Sequence, residues 1–136
     1  MFSGSSTTYE ADRSMGIKNE QILLPKLCLF FKDTIVNSSK RYSIFDYSGT
    51  DGTKYELKSR RNTKTRYYTT LMPCHKVIPD TKQYFVIRFT DKDCYIEYDK
   101  AKFDLYEKQM MIDQRAGMNN KEREHFLIPI ADLTDF

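Results

Sequence analysis

The chain has 136 residues, 40% of them hydrophobic and 14% aromatic, which fits one folded domain with a core and excludes an intrinsically disordered chain. Its formal net charge of +3 is a mild basic excess that does not by itself indicate nucleic-acid binding. No apolar run approaches the roughly 20 residues that span a bilayer, and no signal-peptide pattern opens the chain, so we expect neither membrane association nor secretion. The three cysteines have no CxxC spacing and are expected to be free thiols, in the cytoplasm or another reducing intracellular compartment.

The first elements in chain order are a leader and a helix. Residues 1 to 15 are rich in Ser and Thr without periodicity, which predicts a flexible leader before a domain over residues 16 to 136. Apolar residues then recur at helical spacing over residues 17 to 36, and Pro25 should kink this helix or begin its better-formed part. Glu20 lies near the start of that segment, where a carboxylate also suits the helix dipole. Residues 37 to 40 are expected to turn into a strand.

A β-hairpin is predicted next, around the loop Thr50-Asp51-Gly52. Gly52 suits the left-handed position that commonly closes a three-residue hairpin loop. This register pairs Gly49 with Thr53 and carries the ladder back to Asp46 opposite Glu56. Because side chains alternate along a strand, Lys58 shares a face with Glu56, while the opposite face is apolar and suited to the core. The apolar face consists of Phe45, Tyr47, Tyr55 and Leu57.

The rest of the chain predicts a mixed α/β fold. A short helix is expected over residues 67 to 78, followed by a second hairpin with arms at residues 83 to 89 and 94 to 98. The first arm is apolar on both faces, which is typical of a central strand in a covered sheet. Asp99 is predicted to cap a helix over residues 100 to 115, and residues 126 to 130 are predicted to form an edge strand, since Pro129 is tolerated at an edge.

The pattern of Asp46 followed by Glu56-Leu57-Lys58 resembles the PD-(D/E)XK nuclease superfamily, although no proline precedes the aspartate. The resemblance covers residues 16 to 98. It implies a restriction-endonuclease-like fold, a mixed sheet of four to five strands flanked by helices in a single domain. It also implies an Mg²⁺-dependent endonuclease, with Mn²⁺ as an alternative metal, that hydrolyses phosphodiester bonds of DNA.

The resemblance also implies roles for individual residues. Asp46 and Glu56 would hold the metal together with the backbone carbonyl of Leu57, Lys58 would act on the phosphate and the attacking water, and Glu20 would join the catalytic set. A basic segment follows this site, and we expect it to contact phosphates, with an aromatic residue able to stack on bases. The nucleic-acid-binding candidates are Arg60, Arg61, Lys64, Arg66, Tyr67 and Lys76.

Three alternatives stay open at this point. An RNA endonuclease of the same fold, a non-catalytic nucleic-acid-binding module, and an interaction protein with incidental hairpin charges each agree with part of the pattern. Because each chain would have one site, cleavage of both strands requires a homodimer or two successive nicks.

Overall fold

The computed structural model describes residues 4 to 37, 46 to 113, 119 and 121 to 136, with backbone alone for residues 4 to 13 and for Asp113. Phe45 and the start of the predicted first hairpin arm lie outside the described residues. The described elements are α1 (Gly4–Phe31), β1 (Val36–Asn37), β2 (Tyr47–Ser48), β3 (Lys54–Ser59), β4 (Thr69–Pro73), β5 (Gln83–Arg88), β6 (Asp93–Glu97), α2 (Lys100–Phe103), β7 (Lys108–Asp113), β8 (Lys121–Pro129) and β9 (Thr134–Asp135).

Six of these strands form one mixed sheet, in the order β1-β2-β3-β5-β6-β9. Only the central pair, β3 and β5, is parallel; the other neighbours within this described sheet are antiparallel. The predicted second hairpin is confirmed as β5 and β6, and β5 is the buried central strand that its apolar pattern indicated. The chain therefore forms one small mixed α/β domain.

The two faces of this sheet are covered differently. On one face, Leu23 and Leu27 of α1 pack against Tyr47, Tyr55 and Leu57, which confirms the apolar face predicted for the described part of the hairpin. On the other face lies a three-stranded antiparallel sheet, ordered β4-β8-β7. Its inward side chains pack on β5 and β6 in a second core that includes Met72, Phe85, Ile87, Phe126 and Ile128. A second sheet therefore occupies a face where helices were expected.

The first helix differs from its predicted bounds at both ends. It begins at Gly4, so the backbone of residues 4 to 14 is helical where an aperiodic leader was expected, and Pro25 lies inside it. It ends at Phe31, before Lys32 adopts a φ of 51°, and Val36 already belongs to β1. A residue in the left-handed region interrupts the helical hydrogen bonds, which explains why the helix stops short of residue 36.

Three other predicted elements are corrected by pairing with β8. The helix predicted over residues 67 to 78 is instead β4 followed by a 3₁₀ turn at Cys74–Lys76. The helix that Asp99 caps is present, but it ends at Phe103, and residues 108 to 113 form β7. The predicted edge strand is the longer β8, which lies between β4 and β7, with Pro129 at its end. Long-range strand pairing overrides local helical preference at these positions.

Candidate active site

The predicted hairpin register is confirmed next to the loop, but the strand pairing ends at Tyr47 opposite Tyr55, one pair short of the predicted Asp46 opposite Glu56. Tyr47 pairs with Tyr55 and Ser48 with Lys54, and the Gly49 N–H donates to the Thr53 carbonyl at 2.8 Å. Gly52 adopts a φ of 77°, as the loop requires, and Asp51 before it also lies in the left-handed region.

The hairpin loop is fixed to the end of α1 by one carboxylate that the sequence did not single out. Asp33 accepts hydrogen bonds from the Thr50 N–H at 3.1 Å and from the Tyr55 hydroxyl at 3.1 Å. A Cβ on Gly49 would collide with Asp33 Oδ2, so a larger residue there would displace this carboxylate from the loop. Asp33, two residues after the end of α1, therefore holds the loop that joins β2 to β3.

Asp46 precedes β2 and reaches across to β3. Its N–H donates to the Tyr55 carbonyl at 3.0 Å, and its carboxylate Oδ2 accepts from the Leu57 N–H at 2.7 Å. Lys54 donates its N–H to the Lys82 carbonyl just before β5, and Arg60 to the last carbonyl of β5. The alternate residue Leu57 therefore directs its N–H and carbonyl toward the β2 side. The Asp46 carboxylate and the Leu57 carbonyl are therefore directed to the same side of β3.

Glu56 is the most buried charged group of this cluster, with 2% of the residue exposed. Its Oε1 lies 3.8 Å from Lys58 Nζ and 3.3 Å from Lys76 Nζ, while its buried Oε2 has no hydrogen-bond partner. Burial and the nearby Asp46 carboxylate raise the pKa of Glu56 to about 7, against the opposing effect of the two lysines.

Glu20 joins this cluster from α1. Burial, and then the charge and hydrogen bond of Asp46, raise the pKa of Glu20 to about 7. The Tyr47 hydroxyl donates to the Glu20 carbonyl at 2.6 Å and fixes this turn of the helix to β2. Because α1 begins at Gly4, Glu20 lies in mid-helix, so the interpretation that it serves the helix dipole is wrong.

Lys58 lies on the Glu56 face, as alternation predicted, but that face is largely covered. Its side chain is 27% exposed. Burial lowers the pKa of Lys58 because the ammonium loses solvation, and the attraction of Glu56 opposes this. Glu56 and Lys58 are therefore not an exposed cross-strand pair, because Lys76, from the turn after β4, lies against the same carboxylate.

The nucleic-acid-binding candidates are not all exposed: some are bonded to other parts of the protein, and others lie on the surface. The Arg60 guanidinium donates to the Thr70 hydroxyl at 3.3 Å and to the Leu71 carbonyl, so it joins β3 to β4. Lys64 forms an ion pair with Asp135 at 2.5 Å. The exposed residues are Arg61, Arg66 and Tyr67, with the Arg66 guanidinium 5.5 Å from the Tyr67 ring centre. The phosphate contacts of this segment stay a prediction.

Lys76 is the candidate that the structure moves into the cluster around Glu56. It reaches Glu56 from the 3₁₀ turn after β4, twenty positions further along the chain. The fully buried Gln83 contacts the same turn and was not predicted to serve the site. Neither contact has a local sequence signal, because both depend on how the second sheet docks on the first.

The donors in the cluster suit a hard divalent cation. Mg²⁺ prefers oxygen ligands and usually keeps several waters, so one or two carboxylates suffice. Asp46 and Glu56 supply carboxylates, and Glu56 Oε2 is a buried acceptor without a partner. No group of three or more His, Cys, Asp or Glu residues has the arrangement of a metal site in the described part of the chain. The fit therefore depends on two carboxylates and a carbonyl.

The structure also bears on the expectations about the cysteines and about membrane spans. Cys28, Cys74 and Cys94 are free, as expected. Within the residues described, no helix has both the length and the apolar character to cross a bilayer. Comparisons with protein-family models, with curated proteins and with solved structures each find no match to this chain.

Proposed function

We propose that this chain is a metal-dependent endonuclease that hydrolyses phosphodiester bonds of DNA on a restriction-endonuclease-like fold. The observation that carries the proposal is the buried Glu56 carboxylate, which has one unpartnered oxygen and lies close to Asp46 and Lys58. Burying a carboxylate beside another is costly, and stability alone gives no reason to assemble the two. A binding site for a divalent cation would explain why the two carboxylates lie together.

The order of elements supports the same proposal. A helix precedes three antiparallel strands, β1 to β3, and the next strand of that sheet, β5, runs parallel to β3. Glu20 from the helix lies near Asp46, and Asp46 also lies near Glu56 of this sheet. The connection from β3 to β5 contains β4 and two 3₁₀ turns where a helix was expected, and this is the main departure from the resemblance.

The residues have distinct roles in the proposed reaction. Hydrolysis adds one water: its oxygen bonds to phosphorus, the bond from phosphorus to the leaving oxygen breaks, and that oxygen takes a proton. A bound Mg²⁺ or Mn²⁺ supplies Lewis acidity and lowers the pKa of its water. Asp46, Glu56 and the Leu57 carbonyl would hold the ion. Lys58 would neutralise charge that develops on the phosphate oxygens.

Glu20 has a supporting role in this scheme. Burial and the nearby Asp46 carboxylate raise the pKa of Glu20, which lies on the helix side of Asp46. Glu20 would therefore orient the Asp46 carboxylate from the helix side, while the Leu57 N–H orients it from the strand side.

The choice of DNA comes from the family resemblance, and RNA is the alternative that the experiment separates. We would incubate the purified chain with supercoiled plasmid, single-stranded DNA, branched DNA and RNA, each with Mg²⁺, Mn²⁺ or EDTA. Glu56→Gln, purified in the same way, is the matched control for a contaminating nuclease. It keeps the volume of the side chain and removes its charge.

We expect internal cleavage of DNA with Mg²⁺ or Mn²⁺, none with EDTA, and none with Glu56→Gln. Cleavage of RNA alone would contradict DNA as the substrate, while the proposed phosphodiester hydrolysis would stand. Salt-dependent DNA binding without cleavage under any metal condition would contradict the enzyme and favour the binding module. Neither cleavage nor binding would favour an interaction protein.

A further inference from the structure

Lys76 comes closer to Glu56 than Lys58 does. Lys76 Nζ lies 3.3 Å from Glu56 Oε1, and Lys58 Nζ lies 3.8 Å from the same oxygen. The two lysines come from different elements, since Lys58 is in β3 and Lys76 is in the 3₁₀ turn that follows β4 of the second sheet. The Lys76 side chain is 20% exposed, so it is enclosed to an extent similar to Lys58.

The turn that carries Lys76 is held by a buried amide. Gln83, at the start of β5, donates from Nε2 to the Lys76 carbonyl at 2.7 Å. Its Oε1 accepts from the Ile78 N–H at 3.1 Å. The Gln83 side chain is fully buried, and both of its polar ends are used on this one turn. Because β5 pairs with β3, Gln83 fixes the turn to the sheet that carries Glu56.

We propose that Lys76 is a second catalytic cation, acting on the scissile phosphate beside Lys58, and that Gln83 is the positioning residue that holds it there. This inference rests on the proposed nuclease function. Once a divalent cation neutralises Asp46 and Glu56, the two ammonium groups no longer have those carboxylates to compensate them. They then offer positive charge and N–H donors to the phosphate oxygens.

Lys76 keeps its proton in this role and transfers nothing. Its effect is electrostatic, strongest when negative charge develops on the phosphate, so it should appear in the cleavage rate more than in binding. A lysine that only contacts the DNA backbone behaves differently. Its loss weakens binding and lowers the salt dependence, with the single-turnover rate at saturating protein unchanged.

The experiment compares Lys76→Met with wild type in single-turnover cleavage at saturating protein and metal, beside DNA affinity at several salt concentrations. Lys76→Arg keeps the charge, and Lys82→Met removes a lysine whose side chain is 61% exposed, next to Gln83 in sequence. We expect Lys76→Met to cleave about 10- to 100-fold more slowly with DNA affinity within about twofold. We expect Lys76→Arg to recover part of the rate and Lys82→Met to match wild type.

Gln83 is tested through a double-substitution cycle. Gln83→Leu should slow cleavage about tenfold in the wild-type background, because the turn loses its attachment. In the Lys76→Met background the same change should cost less than about twofold, since a residue that acts through Lys76 has nothing left to position. Equal rate losses in both backgrounds would assign Gln83 a general structural role. If Gln83→Leu does not fold, Lys76→Met against Lys76→Arg decides the inference.

The outcomes separate this inference from the proposed function. If wild type cleaves and Lys76→Met cleaves equally fast, Lys76 is only a counter-ion for Glu56, and the nuclease proposal stands. If the rate is unchanged but the affinity and its salt dependence fall, Lys76 is a backbone contact. If wild type cleaves nothing, the proposed function and this inference are both overturned.

Discussion

The Asp46 carboxylate accepts a 2.7 Å hydrogen bond from the backbone N–H of Leu57. This contact spans the two strands of the hairpin and fixes one carboxylate oxygen on the side of β3 where Leu57 also directs its carbonyl. Burial raises the pKa values of Glu20 and Glu56, which come from other elements, and the Asp46 carboxylate adds to both shifts. A single side chain therefore connects the helix, the hairpin and the buried carboxylate, and its substitution tests the site most directly.

We predict that Asp46→Asn weakens Mg²⁺ or Mn²⁺ binding by at least about tenfold, because it removes one of the two carboxylates proposed as ligands. Asp51→Asn is the matched control: it removes a carboxylate at the exposed loop apex, where φ is 55° and asparagine is tolerated. Titration calorimetry measures both. Equal metal affinity in wild type and Asp46→Asn would show that Asp46 is not a metal ligand. A loss of metal affinity in Asp51→Asn would instead identify Asp51 as the ligand.

In the absence of metal, stability should fall as pH rises. The pKa of folded Glu56 is raised from 4.5 to about 7, so the folded state binds this proton more tightly than the unfolded chain does. The free energy of unfolding in EDTA should therefore decrease between about pH 5 and pH 8, and Glu20 acts in the same direction. Urea unfolding across this range measures it. Glu56→Gln should flatten the decrease, and an equally steep decrease in that variant would contradict the assignment.

The hairpin was predictable because its determinants are local. Gly52 in the loop, the flanking alternation and the three-residue loop length fix the register that pairs Tyr47 with Tyr55 and brings Asp46 beside β3. The buried central strand β5 was predictable for a similar reason, since its apolar residues on both faces require covering on both sides.

The second sheet was not predictable from local patterns. Residues 108 to 113 have no strong strand signal and become a strand because β8 pairs with them. The same docking brings Lys76 to Glu56 and closes the face on which Lys58 lies. A contact between residues twenty positions apart, in different sheets, depends on the whole packing. The sequence therefore indicated which residues form the hairpin, but it did not indicate that the second sheet covers one of its faces.

The basic segment yields a prediction that separates exposed from interior arginines. Arg66 is exposed over Tyr67, so Arg66→Gln should weaken DNA binding for all sequences and reduce the salt slope by about one. Arg60 is bonded to Thr70 and Leu71, so Arg60→Met should lower the free energy of unfolding by about 1–3 kcal/mol. Salt-dependent binding and urea unfolding of both variants test this. An unchanged slope in Arg66→Gln would make that residue part of a solvated face.

Lys58 separates catalysis from metal binding. We predict that Lys58→Met lowers the single-turnover cleavage rate about 100-fold or more, because it removes one preorganised charge from the developing phosphate anion. Metal and DNA affinities should stay near wild type, since interactions that strengthen in the transition state affect turnover more than binding. The fold should persist, because Lys76, which lies 3.3 Å from Glu56, still compensates that carboxylate. The methionine side chain should be tolerated at this half-buried position. Lys82→Met is again the control. If Lys58→Met cleaves at the wild-type rate, Lys58 is only a counter-ion for Glu56, and the resemblance to the nuclease superfamily loses its most specific residue.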